Sequence, residues 1–225
     1  MINGRRVLAI VPARGGSQRL VAKNARMLAG RPMVAWTLEA AAESRLIDHL
    51  VVSTDDPAVA ATAAAMGWPP PFLRPDHLSG PAAAVVDAIE HALEQIGGRW
   101  DYVVLLQPTS PLRIAGDIDG AITLCDETGA PAVIGVSPLP KPTTFYGLVD
   151  DRGQYRPGVA GLDRTVVVNG AVYVGRPEIL LRDRTFQSEG ALAWPMPFER
   201  SWDVDTPAEF AVCDALFPFR TTKTG

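Results

Sequence analysis

The chain has 225 residues, of which 47% are apolar and 20% are charged, and its net charge is −4. This length and composition predict a single globular domain over 1–225, and the acidic balance argues against nucleic acid or an anionic membrane as a partner. The N-terminal apolar run Val7–Ala13 is too short to span a membrane and continues into a charged loop, and Cys125 and Cys213 are isolated, so we expect a cytoplasmic protein.

Apolar runs and helical patterns alternate through the first part of the chain. Strands are predicted at Val7–Ala13, His49–Thr54, Tyr102–Leu106 and Ala132–Val136, and the continuous apolar runs of the first and third indicate burial. Helices are predicted at Met33–Glu43, Pro57–Met66, Ala82–Ile96 and Asp117–Glu127. Repeated βα units of this kind predict an α/β fold, with a Rossmann-like, mostly parallel sheet and helices on both faces.

The pattern changes at about 138–165, which is rich in proline, glycine and charge and has an extended piece around Phe145–Val149. We interpret this stretch as an excursion, a hairpin or an arm, because a long segment without βα units is uncommon in a compact domain unless it is functional or packed on a partner. The α/β pattern then returns in four further segments: Val166–Val174, Pro177–Leu181, Ala193–Pro197 and Thr206–Leu216. A polar, frayed tail is predicted over 218–225.

The first strand leads into a loop with two glycines and four side chains that can meet a phosphate, namely Arg14, Ser17, Arg19 and Lys23. Gly15 and Gly16 can adopt backbone angles closed to other residues, so successive N–H groups could turn inward as an anion-binding nest. The spacing matches neither the Walker A motif nor G-x-G-x-x-G. The loop therefore predicts a triphosphate site; a surface turn with incidental charge is the alternative.

Two acidic residues, Asp203 and Asp205, precede the last predicted helix. Alternate residues of an extended segment point the same way, and Mg²⁺ is typically held by one or two carboxylates together with substrate phosphates. In the alternative interpretation one of them, Asp205, caps the helix together with Thr206, which leaves Asp203 unexplained. The adjacent pair Asp55–Asp56 is better explained by capping of the helix that begins at Pro57.

Other polar candidates follow predicted strands, where ligands bind in open parallel sheets. Gln107 and Arg113 flank a loop that two prolines make stiff, Arg74 lies at another predicted strand end, and Asn169 lies in the strand that begins at Val166. The alternatives are a rigid connection for the first two and a surface salt bridge for Arg74.

In this order, these segments resemble the acylneuraminate cytidylyltransferase family, the CMP-sialic acid synthetases and their bacterial nonulosonate relatives. The resemblance covers nearly the whole chain. It rests chiefly on Pro12–Ser17 with Lys23-Asn24, Leu105–Arg113, Asn169–Tyr173 and Asp203–Thr206.

The resemblance implies that CTP and a nine-carbon 2-keto acid sugar react to give a CMP-sugar and pyrophosphate, in a fold of the nucleotide-diphospho-sugar transferase type. It implies nucleotide contacts from Arg14, Gly15, Ser17, Lys23, Asn24 and Arg74. It also implies sugar contacts from Gln107 and Asn169, and Mg²⁺ held by Asp203 and Asp205, one of which helps to deprotonate the sugar hydroxyl. Charge on the phosphates would be offset by Arg14 and Lys23, and a homodimer would form in which the arm reaches into the neighbouring active site.

The chain also departs from the family pattern. Where relatives carry hydroxyl side chains after the Arg-Pro segment, 79–85 reads Ser-Gly-Pro-Ala-Ala-Ala-Val, and an expected arginine before Asn169 is missing, so Arg156 or Arg164 would have to meet the sugar carboxylate. A 3-deoxy-octulosonate cytidylyltransferase, a nucleotidyltransferase for another base and a non-catalytic nucleotide-binding homologue therefore stay open as alternatives.

Overall fold

A computed structural model describes residues 1–159 and 161–220. Within these residues lie ten strands: β1 Val7–Pro12, β2 Met27–Leu28, β3 Arg31–Pro32, β4 His49–Ser53, β5 Tyr102–Leu105, β6 Ala132–Pro138, β7 Gly147–Val149, β8 Tyr155–Pro157, β9 Val166–Gly175 and β10 Leu192–Pro195. The same residues form six α-helices: α1 Met33–Glu43, α2 Pro57–Ala65, α3 Val85–Ile96, α4 Ala115–Thr128, α5 Pro177–Asp183 and α6 Pro207–Leu216.

The main sheet is buried on both faces, which explains the continuous apolar strands. Along β1, Val7, Ala9 and Val11 face a cluster with residues of α1, α2 and α4. Leu8 and Ile10 face the opposite cluster, which contains residues of α3 and α5. Because side chains alternate along a strand, a run that is apolar at every position needs cover on both faces, and the predicted α/β fold is confirmed.

The sheet has the strand order β10-β6-β9-β5-β1-β4. Its pairs are parallel except at β9, which runs antiparallel to both β5 and β6. The prediction of a mostly parallel sheet is confirmed. Because β9 runs in the opposite direction, its early part, with Asn169, lies towards the edge where β1 and β5 end.

Helix starts follow the capping side chains. Asp56 accepts hydrogen bonds from the backbone N–H groups of Ala58 and Val59, as predicted for the cap of α2. Helix α4 begins two residues before the predicted start, since the Asp117 carboxylate accepts the N–H of Ile114 from inside the first turn. Helix α3 begins only at Val85, three residues after the predicted start, because the segment before it forms a turn.

The excursion at 138–165 contains a hairpin, as one of the two interpretations predicts. The antiparallel pairing of β6 and β9 continues to Pro138 opposite Val166, and beyond it β7 and β8 pair as a separate two-stranded sheet. We call 138–165 the arm. Four of its large apolar side chains are exposed: Phe145, Leu148, Val149 and Tyr155.

The predicted frayed tail is wrong for 218–220. Phe217 begins a short 3-10 helix and packs on Trp36 with ring centroids 4.3 Å apart. Arg220 donates a hydrogen bond of 3.1 Å to the carbonyl of Arg113. The rest of that prediction, 221–225, lies outside the described residues. Of the helices in the described ranges, none has the length and apolar character needed to cross a membrane.

Candidate active site

Two adjoining cavities lie where β1 and β5 end. The larger, about 210 Å³, is lined by residues from these strand ends and from the start of α3. The smaller, about 170 Å³, is lined by the first loop, Pro81 and Asp205. Arg14 and Lys23 line both cavities. We call them the large cavity and the basic cavity.

The first loop is not the nest that the two glycines predict. Neither Gly15 nor Gly16 has a positive φ, and the Gly15 N–H donates to the Asp55 carboxylate at 2.9 Å, so that donor is already used within the protein. Gly15 instead lies close to the residue that caps α2. A Cβ there would lie 3.3 Å from the Cβ of Asp56, so a side chain at position 15 would require Asp56 to shift by a few tenths of an ångström.

Positive charge in the basic cavity comes from side chains. Lys23 is only 9% exposed, and its ammonium lies 2.7 Å from Asp205 Oδ1. Arg19 reaches the other oxygen of the same carboxylate at 2.8 Å, while Arg14 donates to the carbonyl of Gly80 at 2.6 Å. With three cations and one carboxylate, the basic cavity keeps a net positive charge and can take a phosphate chain.

The two aspartates of the acidic pair are in different electrostatic states. Burial alone would raise the pKa of Asp205, but Lys23 and Arg19 outweigh it and hold that pKa below its usual range. Desolvation by the surrounding protein raises the pKa of Asp203, and the neighbouring Asp205 adds to the rise, against an opposing hydrogen bond from Thr109. Asp203 is therefore the better proton acceptor of the two.

The interpretation of Asp205 as a helix cap is wrong. Thr206 caps α6 through its hydroxyl, which accepts the N–H of Glu209, and the Glu209 carboxylate reaches back to the N–H groups of Asp205 and Thr206. The Asp205 carboxylate points instead to Lys23 and Arg19. The carboxylates of Asp203 and Asp205 are thus not used to cap α6, as the metal-binding interpretation requires.

The donor set at this edge fits a hard divalent cation that also takes substrate oxygens. Two carboxylates, one of which raises the pKa of the other, lie beside a cavity suited to phosphates, which is the usual protein share of an Mg²⁺ site. Over 1–159 and 161–220, no group of three or more His, Cys, Asp or Glu side chains could form a complete metal cage. Phosphate oxygens would have to complete the coordination.

The large cavity has one polar wall and one apolar wall. Asn24 is 6% exposed, donates to the carbonyl of Arg14 at 3.0 Å, and has a buried Oδ1 without a hydrogen-bond partner in the described part of the chain. Arg74 donates to the carbonyl and hydroxyl of Ser53, and burial lowers its pKa to about 10. The apolar wall consists of Ala83, Ala84, Val85 and Ala88.

Arg74 does not follow a strand, contrary to the prediction, because the segment before it is irregular. Its backbone N–H instead donates to the carbonyl of Thr54, just after β4, at 2.9 Å. The side chain therefore reaches the predicted site from a loop held against the sheet edge.

Gln107 and Asn169 come together around Gly170. Gly170 has a φ of +70°, and a Cβ there would lie 2.7 Å from Gln107 Oε1 and 3.8 Å from an oxygen of Asp203. Asn169 is 2% exposed and its amide is used within the protein, accepting from the N–H of Ala171 at 3.0 Å and donating to Ser201 Oγ at 2.9 Å. Asn169 thus shapes the site, while Gln107 lines the large cavity.

Arg113 is a buried support of the same region. It is fully buried and donates to the carbonyls of Gln107 and Ala171 and to the hydroxyl of Thr37. Burial lowers its pKa to about 9. Its guanidinium joins the loop after β5 to β9 and α1 beneath the site.

Arg156 and Arg164 are not brought to the cavities within the described chain. Arg156 lies in β8, is 71% exposed and pairs with Asp150 at 3.3 Å. Arg164 is exposed in a 3-10 turn before β9. Neither side chain lines the large or the basic cavity.

Three residues at or near the site are not among the candidates that the sequence suggests. Thr109 bonds to Asp203 through its side chain and accepts the N–H of Val204 at 2.7 Å. Arg200 and Asp117 form a buried ion pair next to the acidic residues. Thr109 lies within the stiff loop after β5, which is a signal for it, whereas the Arg200–Asp117 pair joins positions 83 residues apart and has no local signal.

Comparison with known proteins agrees with this geometry. A family model described as cytidylyltransferase matches residues 8–144. The CMP-N,N'-diacetyllegionaminic acid synthase of Legionella pneumophila is 32% identical over 94% of this chain and 96% of its own length. The N-acylneuraminate cytidylyltransferase of Escherichia coli is 32% identical over 91% of this chain, which spans only 50% of that longer protein.

A solved structure shows the same fold. That of CMP:2-keto-3-deoxy-manno-octonic acid synthetase complexed with CTP covers 96% of this chain with a TM-score of 0.71 and 20% identity. The family model covers more than half of the chain, and the Legionella relative aligns nearly end to end. The chain belongs to the cytidylyltransferase family, whose members are nucleotidyltransferase enzymes.

Proposed function

We propose that this protein transfers CMP from CTP to the anomeric hydroxyl of a sialic-acid-like 2-keto acid sugar and releases pyrophosphate, with Mg²⁺ as cofactor. The observation that carries the proposal is the pair of adjoining cavities that share Arg14 and Lys23, with Asp203 and Asp205 beside them. The names of the Legionella and Escherichia coli relatives support a nonulosonate as the sugar.

In the proposed mechanism, the large cavity holds the base and ribose, and the basic cavity holds the β- and γ-phosphates. The sugar hydroxyl attacks the α-phosphorus in line while its proton passes to Asp203, and the bond to pyrophosphate breaks. Arg14 and Lys23 offset the charge that develops on the leaving group. Bound Mg²⁺ would supply further charge neutralisation and lower the pKa of the attacking hydroxyl.

The base end of the site lacks hydroxyl donors on one wall. Ala83 and Ala84 lie where relatives are expected to carry hydroxyls, so recognition of the base would rest on Asn24 and Arg74. Asn24 Oδ1 is buried and has no hydrogen-bond partner in the described chain; after a rotation that turns this oxygen towards the large cavity, it would accept a hydrogen bond from an exocyclic amine, which cytosine has and uracil lacks. This supports CTP over UTP. The proposed location is the cytoplasm, because the free cysteines Cys125 and Cys213 suit a reducing compartment.

The arm supports a homodimer and a role for its arginines. Its exposed Phe145, Leu148, Val149 and Tyr155 are more apolar surface than a hairpin in water is expected to carry. In a two-fold dimer the arm of one protomer would cover the site of its partner, and Arg156 or Arg164 would meet the sugar carboxylate there. Arg156→Ala and Arg164→Ala should then raise KM for the sugar and leave KM for CTP nearly unchanged; if neither does, another group binds the carboxylate.

The proposed function is tested by measuring pyrophosphate release from each of the four nucleoside triphosphates against neuraminate, legionaminate, pseudaminate and 3-deoxy-octulosonate, with Mg²⁺ or with a chelator. We expect release with CTP, a nonulosonate and Mg²⁺. Release only with 3-deoxy-octulosonate or another nucleotide would replace that part of the proposal. No release with any combination would indicate a non-catalytic nucleotide-binding protein.

A further inference from the structure

A buried ion pair joins the segment that carries the two aspartates to helix α4. Arg200 and Asp117 are 7% and 2% exposed. Two parallel hydrogen bonds connect them, from Arg200 Nε to Asp117 Oδ2 at 3.0 Å and from Arg200 Nη2 to Asp117 Oδ1 at 2.9 Å. This fork fixes the direction of the guanidinium as well as its distance from the carboxylate.

Asp117 is held in place by a second contact besides the one with Arg200. It lies in the first turn of α4, and its Oδ2 accepts the N–H of Ile114 at 3.1 Å. Helix α4 packs on β6 and β9 and belongs to the main core through Ile118 and Ile122. Arg200 is therefore held by a rigid element of the fold.

Arg200 lies three residues before Asp203 and five before Asp205. We call 200–206 the acidic loop, and 201–205 within it have no regular secondary structure. Its far end is fixed by the capping of α6 at Thr206, and its middle by the hydrogen bond from the Val204 N–H to the carbonyl of Thr109 at 2.7 Å. The ion pair with Asp117 fixes the near end.

A buried ion pair is poor evidence for stability, because desolvation of the two charges can cost as much as their attraction returns. The two parallel hydrogen bonds of this pair instead fix the position of the Arg200 side chain relative to Asp117. Neither Arg200 nor Asp117 lines the large or the basic cavity, so neither is in place to touch a nucleotide there. We infer that the Asp117–Arg200 pair is a positioning device that holds Asp203 and Asp205 in register with the two cavities; this inference rests on the proposed function.

The chain offers a matched control at the other end of the same helix. Asp126, near the end of α4, is buried and pairs with Arg5, with further hydrogen bonds from Asn3 and Tyr102. Variants of this pair remove from α4 an ion pair whose carboxylate is as buried as that of Asp117, although the Arg5 side chain is 46% exposed, and they do not touch the acidic loop. The experiment compares Arg200→Lys and Asp117→Asn with Arg5→Lys and Asp126→Asn.

Two quantities are measured on the purified full-length protein: steady-state kinetics of pyrophosphate release, and amide hydrogen exchange of peptides covering the acidic loop. For Arg200→Lys and Asp117→Asn we expect kcat to fall at least ~10-fold with KM for CTP within about twofold, and exchange at 201–206 to become faster. For Arg5→Lys and Asp126→Asn we expect a lower melting temperature with kcat and loop exchange unchanged.

Native kcat and native loop exchange in Arg200→Lys would overturn the inference. An equal loss of kcat in both pairs of variants would also overturn it, since the pair would then act only through stability. If the wild-type protein shows no transfer with any nucleotide, the proposed function fails by itself. Loop exchange then still decides the inference: selective acceleration in the Arg200 and Asp117 variants supports positioning, and its absence refutes it.

Discussion

Lys23 and Asp205, which are 182 residues apart in the chain, form an ion pair of 2.7 Å that joins the first loop to the acidic loop. Lys23 is largely buried and Asp205 is partly exposed, so this contact forms one wall of the basic cavity. The pair brings together a cation proposed to bind phosphate and a carboxylate proposed to bind the metal.

The ion pair of Lys23 and Asp205 should make the stability of the protein depend on pH. Burial would raise the pKa of Asp205, but Lys23 and Arg19 outweigh it and lower that pKa, so folding favours the ionised carboxylate. Its contribution is present above the unfolded pKa of about 3.9 and is lost as the pH falls through the lower folded value. Asp205→Asn should therefore lower the melting temperature at neutral pH, and the difference from wild type should shrink below about pH 4. The exposed Asp151→Asn is the control, and a difference that stays constant into acid would contradict this explanation.

Arg14→Ala and Lys23→Ala should chiefly weaken the interaction with the triphosphate. Each removes a charge-assisted contact of about 1.5–3 kcal/mol. Calorimetric titration should show weaker CTP binding and little change for cytidine, because cytidine carries no phosphate for the two cations to bind. Arg26→Ala, an exposed arginine over Phe210, serves as the control with native binding. Equal weakening of CTP and cytidine would exclude the phosphate role.

Asp203→Ala and Asp205→Ala should each lower turnover at least ~100-fold, since several kcal/mol of charge stabilisation would be lost. The measurement is kcat across a series of Mg²⁺ concentrations. Asp183→Ala removes a partly exposed carboxylate that pairs with Arg182, at a position that lines neither cavity, and should leave kcat unchanged. Near-native turnover of both site variants at saturating Mg²⁺ would mean that the metal binds elsewhere.

Gly170→Ala should damage both stability and activity. Gly170 has a φ of +70°, and Gly153, in the arm, has a φ of +77°, so alanine costs about 1–2 kcal/mol of backbone strain at either position. At Gly170 the new Cβ also meets Gln107 Oε1 at 2.7 Å and Ser110 Oγ at 3.1 Å, whereas nothing lies within 4 Å of it at Gly153. Thermal unfolding should therefore show the larger loss for Gly170→Ala, and only that variant should lose kcat; matching losses in both variants would contradict the close approach.

The sequence predicts those parts of the fold that depend on local patterns. A continuous apolar run such as Val7–Ala13 requires cover on both faces wherever its neighbours lie, and a residue such as Asp56 before Pro57 caps its helix through contacts within three positions. The direction of β9 is not determined in this way. Its apolar residues fit a parallel or an antiparallel neighbour equally well, so its reversal is settled only by packing.

The same difference between local patterns and contacts of distant segments applies to the candidate site. Residue types suited to phosphate and metal are visible in the sequence at Lys23, Asp203 and Asp205. Their partners are not, because the Lys23–Asp205 and Asp117–Arg200 contacts join distant segments. Gly15 shows the limit of local reasoning: the two-glycine pattern suggests special backbone angles, but the φ of Gly15 is not positive and the residue lies close to Asp56, the distant residue that caps α2.

The arm gives the last prediction, the oligomeric state. Phe145 and Leu148 are 74% and 57% exposed, and contact with a second copy of the chain would remove this apolar area from water. We expect light scattering to give a dimer mass, and Phe145→Glu or Leu148→Glu to shift it towards the monomer, because burying an unpaired carboxylate at the contact is unfavourable. Met27→Glu, at a position 59% exposed outside the arm, should remain a dimer. Wild-type protein that is monomeric at micromolar concentration would reject the arm-mediated dimer, and loss of the dimer in Met27→Glu alone would move the interface to the hairpin of β2 and β3.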